Sequence, residues 1–263
     1  MIIKRFIMKK IVLFLLVSFL LLSIISCTRI AVALTNKKDP FKEKTVWVKG
    51  DKEIVFIPMI HVAKAGYYEK VKDFLSQKRN EGYVVYYEGL VTGAATPEER
   101  DTLTLKMRKI IGYHLCGAYT KKENKSTPQY LKKYVGQNMT NTGIDTLRDI
   151  RADMTVKELI SKIEAKREKK LELEPCDFET PLNKPYRCNN YKEYYYWFAR
   201  RYRDDYLSNL LLNTLDKKIV VVYGGDHKWG VYPSLIDGDF HLTEGKWYKK
   251  IKNDKNNAIN VKQ

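Results

Sequence analysis

At 263 residues the chain has room for one well-filled core and gives no reason to require two. Lys and Arg outnumber Asp and Glu by 48 to 31, but Lys4, Arg5, Lys9 and Lys10 precede an apolar run; beyond residue 26 the count is 44 against 31, a balance of +13. The lysines are spread along the chain with no recognition motif or basic stripe, which argues against a nucleic-acid partner, while a positive surface favours an anionic membrane face or an acidic substrate.

Residues 1–26 show the parts of an export leader in order: a charged start, an apolar run from Ile11 to Ile25 broken only by Ser18 and Ser23, then Ser26 and Cys27. The run is short for a span needing about 20 residues. Ile24-Ile25-Ser26-Cys27 resembles a bacterial lipobox, which implies cleavage before Cys27 and lipidation of its thiol; an uncleaved amino-terminal anchor is the alternative. Several acyl chains on one residue hold a protein firmly to a bilayer. Either way a membrane-anchored protein is expected, its body on the periplasmic or extracellular face of the cell envelope. Residues 27–44 lack periodicity and read as a tether ahead of a domain over 45–252.

The domain opens with two strand-like runs joined by Gly50-Asp51, a hairpin signal. The second run, Ile54 to Ile57, ends at Pro58, with His61 just beyond. Between Gly66 and Gln77, Tyr68, Val71, Phe74 and Leu75 recur at helical spacing; Gly82 closes that helix, and YVVYYEG follows as a buried strand with Glu88 at its end. Strand, helix and strand in this span predict a βαβ unit with parallel neighbours, so that His61 and Glu88 emerge at one sheet edge. From Thr96 to about Lys170 the chain is helical in tone. Pro97-Glu98-Glu99 starts one helix, whose Leu103, Met107, Ile110 and His114 share a face, and Thr155 with Glu158 forms a capping box for another. His114 reads as a core or boundary histidine, and Asp149 and Asp153 as caps or turn residues.

Three further cysteines follow. Cys176 and Cys188 bracket a Pro-containing segment without periodicity and are plausible disulfide partners in an exported chain; Cys116 is left as a small buried hydrophobe. No C-x-x-C spacing exists, so a cysteine metal site is not expected. A long helix over 191–215 carries Arg203 and Asp204 and leads into the unbroken apolar run Ile219 to Tyr223, a strand buried on both faces. Gly224 and Gly225 free the backbone to turn or let another group approach. Asp226 and His227 then sit past the carboxyl end of a central strand, where open α/β sheets place ligands. A closing hairpin around Glu244-Gly245, with His241 exposed, and a disordered polar tail over 253–263 complete the chain. The fold class is α/β: a central mixed, mostly parallel sheet with a βαβ core, flanked by helices, with a helical insertion in the middle.

Pro58-Met59-Ile60-His61 and Gly224-Gly225-Asp226-His227 are both a strand end, a turn and a histidine. Two imidazoles and Glu88 converging on one edge suit a divalent metal with an open position; the same residues also serve as capping groups elsewhere. The pattern resembles the TraB/Tiki family, itself similar to the ChaN and erythromycin-esterase-like superfamily. That family carries two G-x-x-H motifs, an acid ending the second strand of the βαβ, and an Arg followed by Asn or Asp on the helix before the second motif. Gly224 to His227 matches the second motif, Glu88 the acid, and Arg203-Asp204 the arginine pair; Trp229-Gly230-Val231 is also family-like. Pro58 replaces the glycine of the first motif. The resemblance implies a membrane-tethered hydrolase dependent on Mn, Co or Zn, with a peptide or other carbonyl substrate. His61, Glu88 and His227 would be its ligands, Glu88 a ligand or general base, and Arg203 the group that holds a substrate carboxylate or oxyanion. Asp226 is expected to orient His227. The alternative is a non-catalytic envelope protein that sequesters a peptide or partner in the same cleft; haem or iron on the histidines is implied only through ChaN-like relatives.

Overall fold

The computed structural model describes residues 39–112, 134–182, 184, 186–188 and 192–247, with side chains from 199 onward in the last range. The expected leader, Cys27, most of the tether, His114, Cys116 and the polar tail lie outside these residues. No helix among the described residues is long and apolar enough to cross a membrane.

Six strands form one sheet in the order β6-β4-β7-β2-β1-β8. Strand β1 (Thr45–Lys49) turns at Gly50, whose φ of 57° lies in the left-handed region, and returns as β2 (Lys52–Met59) in antiparallel register. After a two-residue strand β3 (Val62–Ala63), helix α1 (Ala65–Asn80) crosses to β4 (Val84–Tyr87). The strands β2 and β4 are parallel, as the βαβ reading expects, but they are not neighbours. Strand β7 (Lys218–Gly224) lies between them, parallel to both. The late strand thus occupies the centre of the sheet, as its unbroken apolar run requires. Its residues Ile219 to Tyr223 are fully buried, and they alternate between two cores.

On one face Ile219, Val221 and Tyr223 pack with Ile54, Phe56, Tyr86, Leu207 and Leu211. On the other, Val220 and Val222 meet Val55, Ile57, Tyr68, Val71 and Leu75 of α1. Each such side chain contributes about 1.5–3 kcal/mol when fully buried.

Pro58 does not end β2, which runs on to Met59 opposite Gly224. The Glu53 amide donates to the Lys217 carbonyl on the β7 side, so strand alternation turns the nitrogen of Pro58 to the opposite side. There β1 pairs no further than Phe56. The missing N–H therefore removes no ladder bond.

The middle of the chain is helical with its own core. Helix α2 (Pro97–Ile111) is capped by Thr96, whose side chain accepts from the Glu99 amide. Two short strands not anticipated from sequence follow: β5 (Val135–Gly136), paired with β3, and β6 (Ile150–Arg151), which extends the sheet beside β4. Between them lies the single turn α3 (Met139–Thr142). Helix α4 (Val156–Arg167) starts in the expected capping box of Thr155 and Glu158. Leu103, Met107, Ile110, Leu159, Ile160 and Ile163 pack α2 against α4. Helix α5 (Pro175–Glu179) is joined to the segment beyond it by the Cys176–Cys188 disulfide. Helix α6 (Lys192–Asn213) packs on the sheet face of Ile219, Val221 and Tyr223 and on the core of the helical middle, and delivers the chain to β7. A short 3-10 turn (Gly225–His227) opens helix α7 (Lys228–Asp237), and β8 (His241–Glu244) pairs with β1. The second arm of the expected closing hairpin runs beyond the described residues; Gly245, at φ 93°, turns the chain where a Cβ would lie 2.4 Å from the Lys44 carbonyl oxygen. Residues 39–44, read as the end of the tether, are folded onto the body.

Candidate functional site

The carboxyl ends of β2, β7 and β4 share one edge of the sheet, and each supplies a polar group there. The β4 to β7 ladder continues through the amide of Glu88, which donates to the Val222 carbonyl at 3.0 Å and fixes its backbone. Its carboxylate accepts from the Gly224 amide (2.7 Å) and from Arg203 Nη2 (2.6 Å). Gly224 is required for close approach rather than for its dihedral, since its φ is −50°. A Cβ there would lie 3.0 Å from Glu88 Oε2 and 3.1 Å from His61 Nε2.

His61 follows β2 by one turn and is held by Gln137 on both sides: the Gln137 amide donates to the His61 carbonyl (2.8 Å), and its side-chain oxygen faces Nδ1 at 3.1 Å. An oxygen acceptor at Nδ1 suits the tautomer that donates from that nitrogen, and Nε2 lies on the side of Gly224. His227 closes the 3-10 turn after β7 and is buried. Its Nδ1 donates to Asp204, while Nε2 stands 3.6 Å from Glu88 Oε1. The Tyr223 ring packs edge-on against this imidazole with centroids 4.7 Å apart.

Arg203, on α6, lies beneath. Its Nε and Nη2 donate to the two oxygens of fully buried Asp153 at 2.8 and 2.7 Å, and Nη2 also reaches Glu88. Asp153 is fixed in turn by the Met154 amide at 2.9 Å. Burial alone would lower the Arg203 pKa, but the charges of Asp153 and Glu88 push it well above its ordinary value. Burial would raise Glu88; the nearby His227 imidazole and the Arg203 charge overcome it and hold the carboxyl well below the usual range. For His227, burial works to lower the pKa, yet the hydrogen bond to Asp204 and the nearby Glu88 carboxylate leave it raised.

The structure thus brings together His61, Glu88, Arg203 and His227 at the floor of a cleft of about 1230 Å³. Two expectations change. Asp226 does not orient His227: it is exposed, and its carbonyl accepts from Arg200. Asp204, from α6, takes that place. Asp153, expected as a cap, does accept a neighbouring amide, but it also grips Arg203. Gly230 explains itself here, for a Cβ on it would stand 2.2 Å from Asp204 Oδ2. The only sequence signal for Asp204 was its position beside Arg203; nothing local marked Asp153 as part of the site.

Whether the residues suit a divalent ion is a matter of donors. A neutral His227 presents the Nε2 lone pair to a carboxylate oxygen, an arrangement that calls for a cation between them: a proton on the ring or a metal ion. Both histidines have Nδ1 engaged by an oxygen acceptor, the arrangement that orients metal-bound imidazoles. Glu88 retains lone pairs beyond the two bonds it accepts. The set fits a metal in kind, although among the described residues no group of three His, Cys, Asp or Glu side chains is already spaced to hold one. Compared with family models, curated proteins and solved structures, the chain matches none.

Proposed function

We propose that this protein is a lipid-anchored, divalent-metal-dependent hydrolase of the cell envelope acting on peptides or another carbonyl substrate, as the TraB/Tiki resemblance implies. The observation that carries this reading is the convergence of His61 Nε2, His227 Nε2 and Glu88 at the floor of one cleft, beside a half-buried arginine. His61, His227 and Glu88 would hold the ion, with manganese, cobalt and zinc all compatible with mixed nitrogen and oxygen donors. Once bound, it lowers the pKa of a water and polarises a carbonyl.

The remaining roles belong to the chain itself. Asp204 fixes the His227 tautomer so that Nε2 faces the cleft, and Gln137 does the same for His61. Arg203, locked by Asp153, keeps Glu88 ionised and aimed, which suits it to ligate as a carboxylate; the same lowering of its pKa weakens it as a general base. In this reading Arg203 acts on Glu88 first, and any oxyanion contact is secondary. The cleft walls add apolar surface from Ile60, Met107, Ile111 and Met139, which suits a polypeptide more than a small ion.

The test is metal stoichiometry and peptide hydrolysis by the wild-type chain and a His61→Ala/His227→Ala variant. One bound ion, lost with hydrolysis in the variant, is the expected result; hydrolysis that survives the double substitution rejects the reading. A second reading, sequestration without catalysis, is favoured by one observation: Glu88 is already tied to Arg203 and the Gly224 amide, a bond pattern that also serves as a structural latch. Under it the histidine variant keeps its ligand and needs no metal.

A further inference from the structure

The polypeptide enters the folded body at the mouth of the cleft. Asp39, Pro40 and Glu43 belong to the cleft lining together with Lys228 and Trp229. This entry point is fastened on several sides: Phe41 packs on Phe74 with ring centroids 4.8 Å apart, Asp39 pairs with Lys70 at 3.4 Å, Glu43 accepts from Lys228 at 2.7 Å, and Lys44 bonds to Glu244 at 2.8 Å. We propose, building on the lipid anchor at Cys27 and the hydrolase reading above, that the anchored protein holds its cleft toward the bilayer and acts on polypeptide segments attached to the same membrane.

Chain length limits the alternatives. From Cys27 to Asp39 the sequence offers twelve residue steps, a reach of about 40 Å at full extension. A compact body of roughly 200 residues is about 45 Å across. A tether that leaves from the cleft mouth therefore has no length to pass around the body and turn the mouth away from the lipid. The rim carries suitable chemistry. Trp229 is 45 % exposed and stacks on Trp247 at 5.0 Å, and Met139, 39 % exposed, also lines the cleft. Tryptophan favours the headgroup layer, and a net positive body is drawn to anionic lipid. A substrate on the same membrane meets the cleft at high effective concentration, an advantage that a diffusing peptide lacks.

The experiment uses the full lipoprotein in vesicles containing anionic lipid and headgroup acceptors. A fluorophore is placed either at Met139 or at Leu215, which is 90 % exposed and precedes β7 at the far end of the sheet. Energy transfer several-fold stronger from position 139 is expected; equal or weaker transfer overturns the proposal, as does recovery of the chain without acyl groups on Cys27. In parallel, the metal-loaded protein is offered a mixed-sequence peptide library on a lipid-anchored spacer and the same library free in solution. The anchored library should be cut at least about ten-fold faster, and a flexible Gly/Ser insertion of about forty residues within 28–38 should erase most of that preference. Equal cutting of both libraries overturns the membrane-attached substrate while leaving the hydrolase reading intact. Cutting of neither removes the hydrolase reading and, with it, the substrate assignment, while energy transfer alone decides which way the cleft faces.

Discussion

Gly230 shows how a residue without a functional group sets the chemistry of one that has it. It sits inside α7, where alanine is ordinarily better by about 1 kcal/mol, yet a Cβ there would come within 2.2 Å of Asp204 Oδ2 and 2.5 Å of its Cγ. Asp204 is buried and even its Cβ would lie only 2.6 Å away, so turning the carboxylate does not relieve the clash and Gly230→Ala should push it off the His227 ring. The expected outcome is a loss of about 10–100-fold in metal affinity, the range typical of removing the partner that orients a ligand. Gly225→Ala is the control. Its nearest neighbours would be Pro58 Cβ at 3.4 Å and the Met59 carbonyl at 3.5 Å, ordinary contacts, and its affinity should stay near wild type. Metal titration of the two variants separates them; equal affinities would mean that Asp204 does not govern His227.

At the scale of elements, the helical part of the chain is held together by more than its core. Lys109 on α2 donates to Asp177 on α5 at 2.9 Å with both side chains buried, and Arg108 donates to the Thr180 carbonyl at 2.8 Å. The Cys176–Cys188 disulfide closes the loop that carries these acceptors. Met107 and Ile111 of the same α2 line the cleft, so this clamp sets one wall of the site. Replacing both cysteines by serine should cost about 3 kcal/mol on the chain-entropy model, read as a lower urea midpoint with an m-value equal to or above that of the parent, because the freed unfolded chain is less compact; an unchanged midpoint would show that the bridge does not stabilise the fold. The sequence revealed some of these elements for plain physical reasons. Ile219 to Tyr223 has no polar interruption, and Thr155 with Glu158 has both halves of a capping box, so β7 and the start of α4 are legible. Strands β3, β5 and β6 have two residues each, too few for any periodicity to register.

At the scale of the whole molecule, what local pattern leaves undetermined is which distant groups meet. The insertion of β7 between β2 and β4 follows from pairing across more than 130 residues, and with it comes α6, which brings Asp204 to His227 and Arg203 to Asp153 and Glu88. His61, Glu88 and His227 were readable because each ends or follows a strand; of their partners Arg203 was legible only through the family-like Arg203-Asp204 pair, and the roles of Asp153, Asp204 and Gln137 were not. The resulting charge network makes a prediction about pH. Glu88, depressed from its ordinary 4.5, contributes stability that is complete above that pH and is lost as pH falls through its lower folded value. His227 is raised from 6.5 by its bond to Asp204 and the nearby Glu88 carboxylate, so its contribution is complete below 6.5 and is lost as pH rises through the folded value. The metal-free site is therefore most stabilising between about pH 4.5 and 6.5. A metal reverses the second trend, because it requires the Nε2 lone pair that the proton occupies. Excess metal should leave the Tm almost unchanged at pH 5.5 and raise it by several degrees at pH 8, where binding adds stability according to the ratio of free metal to Kd. Thermal unfolding with and without metal at the two pH values checks this. An equal shift at both, or one that persists in the His61→Ala/His227→Ala variant, would place the ion on ligands other than the two imidazoles.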